Sequence, residues 1–287
     1  MINKIPVLAI IVPCYNEEEV LEETAKRLLE IQDDLIQKNQ ILKESFIVFV
    51  DDGSKDKTWE LIKEQNKKHS SIKGVKFSGN FGNQSALLAG FLSAKRNADC
   101  VVSIDADLQQ DENAISRFVE KYREGYEIVY GVKKDRKADS LWKKLTGVFF
   151  YKLMNWMGVK IIKNHSEYRL VGKKALDALA SYEETNLFLR GVFHIMGFKT
   201  TTLLFEIKER FAGQAKFTVR KLLSLAWQGI TSFSTFPLRM IGIIGFLVFG
   251  VSILLSVYAL LSKILGYAEH GWASTVLPMY LLGVSSF

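Results

Sequence analysis

Cysteine is nearly absent: the 287 residues contain two, Cys14 and Cys100. Each lies in an apolar run, so neither a disulfide framework nor a structural zinc site underlies this fold, and both read as small buried hydrophobes. The four histidines, His69, His165, His194 and His270, are scattered and show no ligand spacing. Two phosphate-cradling patterns are also missing, since GxxxxGK[ST] does not occur and no GxGxxG follows the first strand-like run. Lys and Arg number 38 against 31 Asp and Glu, a formal charge of +7, yet no arginine-rich block or nucleic-acid motif is present. Nucleic acid is therefore not expected as a partner, and an anionic membrane surface accounts for the excess. The N-terminal "MINKIPVLAIIVPCYNEEE" lacks a basic stretch followed by a small-residue cleavage site, so synthesis is expected to begin in the cytosol.

One long charge-free run is present. Met240 to Leu261, "MIGIIGFLVFGVSILLSVYALL", has enough apolar residues to cross a bilayer core of about 30 Å. A second run, "WASTVLPMYLLGVSSF", begins at Trp272 and reads as a second span cut short by the chain end. Arg220, Lys221 and Arg239 precede the first span and only Lys263 closely follows it, which places the large N-terminal part in the cytoplasm of a multi-pass protein of the cell membrane.

Before residue 215 the pattern alternates. "VLAIIVPCYN", "SFIVFVDDGS", "IKGVKFSGN", "DCVVSIDAD" and "YEIVYGV" are short strand-like runs, separated by helix-period segments such as "EEEVLEETAKRLLEIQDDL". This rhythm predicts an α/β fold, a mostly parallel sheet with helices on both faces. Ligands of such sheets sit at the carboxyl ends of the strands. The polar clusters fall at those ends: "PCYNEEE", "DDGSKDKT", "GNFGNQS" and "DADLQQD". Helix capping could explain any one cluster, but four on one edge point to a site. Asp105, Asp107 and Gln109 alternate where the fourth strand leaves the core, an all-oxygen set suited to Mg2+ or Mn2+. A divalent cation with open positions in turn favours a nucleotide diphosphate.

"VPCYNEEE", "VDDGSKDKT", "NFGNQSALLAGF" and "DADLQ", in this order, resemble the family 2 glycosyltransferases with the GT-A fold. "SEYRLVGKKAL", "ETNLFLRG", "RFAGQAKFT" and "GITSFSTFPLR" extend the resemblance to the polyprenyl-phosphate branch, similar to dolichol-phosphate mannose synthase and bactoprenol glucosyltransferases. The resemblance implies an inverting transfer from a nucleotide sugar, UDP-glucose or UDP-N-acetylglucosamine, to polyprenyl phosphate, for cell-envelope glycosylation. It implies that Pro13, Tyr15, Asn16, Glu17, Asp52 and Asp105 bind the nucleotide sugar, with Asp52 reading the base. Asp105, Asp107 and Gln109 match the metal motif. Glu167 and Arg169 match a pair near the acceptor, with Glu167 where Asp is usual, and Asp107, Glu167 and Arg169 form the catalytic set. Arg210 and Lys216 match phosphate-binding residues.

The domains expected are a catalytic domain over 1–215, a juxtamembrane interfacial helix over 216–238 and a transmembrane region over 239–287. Within the first, 139–158 repeats Leu141, Leu145, Val148, Phe149, Leu153 and Trp156 at helical intervals with lysines between them. Core-facing helices would show the same spacing, but interfacial placement brings the site to a phosphate at the bilayer surface. A homo-oligomer is compatible with this arrangement. A processive polysaccharide synthase would carry a Gln-x-x-Arg-Trp motif and more spans; a sugar-phosphate nucleotidyltransferase would carry a glycine-rich loop after the first strand. A non-enzymatic membrane adaptor would not need Asp105, Asp107 and Gln109.

Overall fold

The computed structural model describes residues 4–134, 165–182, 189–207 and 236–266. The helices expected over 139–158 and 216–238 and the span from Trp272 lie outside them, as do Arg210 and Lys216, apart from the few residues at 236–238. The chain divides into two compact units, Met1–Ser232 and Phe233–Phe287.

The first unit holds a seven-stranded sheet: β1 (Leu8–Cys14), β2 (Phe46–Asp51), β3 (Ile72–Lys76), β4 (Cys100–Ser103), β5 (Ile128–Lys133), β6 (His165–Gly172) and β7 (Thr200–Phe205). Their spatial order is β3-β2-β1-β4-β6-β5-β7. β1 pairs in parallel with β2 and β4, β2 with β3, and β5 with β7. Only β6 runs against its neighbours, β4 and β5. The expected α/β class and mostly parallel sheet are thus observed. Every residue of β1, β2 and β4 is buried, as strands covered on both faces must be. β3 is an edge strand whose exposed Lys73 and Lys76 discourage a further strand from pairing with it.

The helices of this unit are α1 (Leu21–Gln37), α2 (Thr58–Lys68), α3 (Asn83–Ala94), α4 (Ala114–Arg123), α5 (Lys173–Leu179) and α6 (Leu189–Ile195). Side chains alternate across a strand. Ile10 and Val12 of β1 cluster with Leu21, Ala25 and Leu28 of α1 and with Ile115 and Phe118 of α4. Ile11 points to the opposite face, where α3 lies against it. The contact there is close: a Cβ at Gly90 would stand 2.2 Å from Ile11 Cγ2 and 3.2 Å from Val50 Cγ2. α6 covers the same face, its Phe193 meeting Phe91 of α3 edge to face at 6.0 Å.

β6 and β7 were not expected as strands. In β6 the sequence interleaves Ser166, Glu167 and Arg169 with apolar residues, yet all three are buried. β7, "TTTLLF", begins with three threonines and is only partly buried.

The second unit contains α7 (Phe236–Ile264), which takes in the whole run from Met240 to Leu261. Its segment Arg239–Ile264 has a mean hydropathy of 2.6 and is, among the described residues, the one helix long and apolar enough to cross a membrane. Its apolar side chains stand largely exposed, and the Ser256 hydroxyl donates back to the Ser252 carbonyl, leaving its hydrogen inside the helix.

Gly90→Ala is expected to destabilise the first unit. The new methyl meets the branched, rotamer-restricted side chain of Ile11, and such overpacking costs about 1–3 kcal/mol, more than the gain of about 0.5–1 kcal/mol from replacing a helical glycine. A lower thermal midpoint of the purified protein checks this; an unchanged or higher midpoint would show that Ile11 gives way freely.

Candidate active site

Because β3, β2, β1 and β4 are parallel neighbours, the loops after them emerge on one edge. The first two are laced together. Asn16 N–H donates to Ser54 Oγ (2.9 Å) and Lys55 N–H returns a bond to Asn16 Oδ1 (2.8 Å). Glu17 N–H donates to Thr58 Oγ1 (2.8 Å), and Lys57 N–H to Glu18 Oε2 (3.0 Å). Asn16 adopts φ 52°, a left-handed conformation that Asn tolerates better than most residues. The N-cap residues of α1 to α4, Val20, Lys57, Gly82 and Asn113, make no side-chain capping bond. The polar clusters join loop to loop, and Asp56 Oδ1 also accepts from Thr58 N–H (3.0 Å) at the start of α2. Pro13 is buried in β1 opposite Val50, while Tyr15, Asn16 and Glu17 stand half-buried at its end.

Asp52 is buried and holds the loop after β3. Its Oδ1 accepts from Phe81 N–H (2.7 Å), and its Oδ2 from Gly82 N–H (2.9 Å) and Asn80 Nδ2 (3.0 Å). Burial pushes its carboxyl above the ordinary range; the two backbone N–H groups pull the other way and the neighbouring Asp51 charge adds to the rise. Two glycines make the approach of these loops possible, for a Cβ on Gly53 (φ +69°) would lie 2.4 Å from the Gly79 carbonyl carbon. The loop so fixed presents Phe81, 63% exposed, to solvent.

After β4, burial alternates: Ile104, Ala106, Leu108 and Gln110 are buried while Asp105, Asp107 and Gln109 are half-exposed. The three polar residues thus share the same partial exposure. Gln110 closes a two-point clasp on Asp105, accepting from its N–H (3.1 Å) and donating through Nε2 to its Oδ2 (2.6 Å). Asp107 Oδ1 accepts from Gln109 N–H (3.2 Å), and Thr24 of α1 donates to the Ala106 carbonyl (2.8 Å). Leu108 takes φ 57° to permit the turn. Among the described residues no three His, Cys, Asp or Glu side chains are grouped to hold a metal ion.

The third group lies on β6. Glu167 and Arg169, two apart, share the face covered by α3 and α6. Arg169 is fully buried, donates through Nη2 to Glu167 Oε2, and lies 5.4 Å from the ring of Phe193. Glu167 Oε1 accepts from Gln84 Nε2 of α3 (2.9 Å), and Gln84 Oε1 accepts from Leu189 N–H at the start of α6 (3.3 Å). Burial raises the nearby Tyr130 phenol, and the Arg169 charge opposes that rise. Gln84 and Gln110 had no role assigned from the sequence. Both lie inside the quoted motifs, and that position is the one signal the sequence offers for them.

Residues 9–180 match the family model described as glycosyl transferase family 2. The uncharacterized glycosyltransferase YkoT of Bacillus subtilis (strain 168) is 49% identical over 278 residues, covering 97% of this chain and 82% of that protein. The prophage bactoprenol glucosyl transferase homolog of Escherichia coli (strain K12) is 35% identical over 280 residues, covering 96% and 88%. Among solved structures, glucosyl-3-phosphoglycerate synthase from Mycobacterium tuberculosis, in complex with Mn2+, UDP and phosphoglyceric acid, superposes with a TM-score of 0.51 at 15% identity, covering 78% of this chain and 76% of that one. That likeness establishes the fold.

Asp52→Ala is expected to strand the N–H groups of Phe81 and Gly82 and the Asn80 amide. Leaving buried donors unpaired costs about 1–3 kcal/mol each, so the thermal midpoint should fall and peptides spanning 77–82 should exchange hydrogen faster. Unaltered exchange there would show that Asp52 does not hold the loop.

Proposed function

The chain belongs to glycosyl transferase family 2, and we propose that it moves a sugar from UDP-glucose or UDP-N-acetylglucosamine to polyprenyl phosphate at the cytoplasmic face of a membrane. The reach of the similarity carries this reading. The family match ends at residue 180, whereas relatives named bactoprenol glucosyl transferase align at 34–35% identity over 96% of this chain, which necessarily takes in α7. An apolar helix of that length suits an enzyme whose acceptor never leaves the bilayer.

Tyr15, Asn16 and Glu17, following Pro13, border the nucleotide, and Asp52 serves it by fixing the loop that carries Phe81. Asp105 and Asp107, with Gln109, fit a cation that arrives with the diphosphate, because two half-exposed carboxylates leave most positions to phosphate oxygens and water. When bound, Mg2+ or Mn2+ offsets the negative charge that develops on the departing diphosphate. The lipid monophosphate is already largely ionised at pH 7, its second pKa being about 6. Its oxygen attacks C1 of the sugar from the side opposite the leaving group, so the configuration at C1 inverts and no strong base is needed. Glu167 and Arg169 stand on the acceptor side, and Arg210 and Lys216 supply cations for phosphate. The product, a polyprenyl-phosphate-sugar, serves cell-envelope glycosylation. The run from Trp272 makes the chain two-pass in this reading, with the N-terminal unit cytoplasmic and room for a homo-oligomer.

The test is incubation of membranes holding the protein with radiolabelled UDP-sugars and undecaprenyl phosphate, followed by extraction into organic solvent. Label is expected in the organic phase, and Asp107→Ala or excess EDTA is expected to abolish it. Transfer within a few-fold of the parent in either condition would overturn the metal assignment. Equal transfer to polyprenol, whose hydroxyl would need a positioned base worth about 10²–10⁴-fold, would overturn the phosphate acceptor and favour a polysaccharide-elongating transferase.

A further inference from the structure

Outside α7, Phe81 is the most exposed of the large apolar side chains described, at 63%, and the one aromatic among them. A single exposed apolar residue is ordinary on a protein surface, but this one is held out by a backbone pinned on both sides. Its N–H donates to Asp52 Oδ1 (2.7 Å) and its carbonyl accepts from Ser85 Oγ (3.1 Å). Asp52 also takes the Asn80 amide and the N–H of Gly82, which follows at φ +94°. A hydrophobic residue just before a helix N-cap can staple onto the fourth helical residue. Here that residue is Ala86, which is fully buried, and Phe81 stays in solvent. The ring meets Phe77 instead, with centroids 5.6 Å apart and planes at 85°. An edge-to-face contact covers at most one face of either ring, so at least one face of Phe81 lies outside it.

We propose that Phe81 is a nucleobase-binding residue whose open face stacks on the base of the nucleotide sugar. This rests on the nucleotide-sugar reading of the site and names the part of the donor that the loop after β3 receives. That loop, "FSGNFG" over residues 77–82, has no charged side chain. It offers no cation to a diphosphate or to an anionic headgroup, and it suits a flat, uncharged ring. Its place agrees with this. The spatial order β3-β2-β1-β4 puts it and the acid-bearing loop after β4 at opposite ends of a row of four strands. Three strand spacings separate them, roughly 14 Å, a span that a nucleoside diphosphate bridges with its base at one end and its diphosphate beside Asp105 and Asp107. The loop is also seated tightly on the one after β2. A Cβ on Gly53 would stand 2.4 Å from the Gly79 carbonyl carbon, and a Cβ on Gly79 would stand 3.9 Å from Phe81 Cε2. An aromatic face fixed in this way needs little further ordering when a ligand arrives. Every base has a π-face, so Phe81 supplies affinity while the choice of base falls to polar groups.

The test is calorimetry on the purified full-length protein with two probes in Mg2+: UDP, and pyrophosphate, which lacks the base. Phe81→Ala is expected to weaken UDP binding about 5–150-fold, the scale of losing one base–aromatic stack, and to leave pyrophosphate within about twofold. Phe81→Leu keeps apolar bulk without an aromatic face and should also lose affinity, while Phe81→Trp should bind UDP at least as tightly as the parent. In turnover the loss should appear in KM for the nucleotide sugar, with kcat changed less than about threefold, because a base contact is the same in the ground and transition states. The thermal midpoint without ligand should hold in all three variants, since an exposed side chain contributes little to the fold. UDP affinity within about twofold of the parent in Phe81→Ala or Phe81→Leu would overturn the proposal. So would equal weakening of UDP and pyrophosphate, which would mean that the whole loop had shifted. A raised KM for polyprenyl phosphate with UDP affinity intact would also overturn it and make the ring a lipid contact. A parent that binds UDP but transfers no sugar to polyprenyl phosphate counts against the acceptor alone and leaves the calorimetry to decide the stack. A parent that binds pyrophosphate and no UDP would overturn the donor reading and the stack together.

Discussion

Seven consecutive buried residues, Leu8 to Cys14, run down the middle of four parallel strands, and their backbone groups pair with β2 on one side and β4 on the other. In a parallel sheet every strand leaves the core in the same direction, so four loops must emerge together. Such loops carry backbone polar groups that neither face of the sheet can satisfy. Here they satisfy one another: Asn16 with Ser54 and Lys55, Asp52 with residues 80–82, Gln110 with Asp105. The result is a rim of polar loops that is already cross-linked before any ligand reaches it, which lowers the ordering cost of binding.

β6 adds a second constraint. Its single reversed direction brings Arg169 opposite Ser103 in β4 and Tyr130 in β5, at the sheet's centre rather than its edge. A guanidinium there cannot be hydrated, and breaking such a buried pair by removing one partner costs about 3–5 kcal/mol. The Glu167–Arg169 pair is thus structural: the buried guanidinium needs the carboxylate, and the carboxylate takes its orientation from the sheet.

How much of this could be read in the sequence depends on how each residue meets its partner. β1, β2 and β4 announce themselves as unbroken apolar runs, and the alternation of Asp105, Asp107 and Gln109 shows in the exposure of the chain itself. β6 was legible as a motif and illegible as a strand, because Glu167 and Arg169 are buried by pairing with each other and with Gln84, 83 residues away. β7 was hidden by Thr200, Thr201 and Thr202, which carry strand propensity without apolarity. Gln84 and Gln110 escaped because a neutral amide has no pattern of its own; only the geometry shows that each is a clasp. Asp52 stood out in the sequence, but its work of holding Asn80, Phe81 and Gly82 in place did not.

The position of β6 also bears on how the sheet is made. β4 and β5 follow each other in the sequence, separated by α4, yet in the sheet they are not neighbours, since β6 lies between them. During synthesis β5 is complete at Lys133, while the strand that joins it to β4 starts at His165, more than thirty residues later. Until then β4 presents an unpaired edge of buried-type residues, Cys100 to Ser103, and β5 has no partner on that side. A nascent chain of this length is open to wrong pairing, by β5 closing directly on β4 or by a second chain docking there. The antiparallel strand that carries Glu167 and Arg169 is therefore also the one that joins β4 to β5 within the sheet.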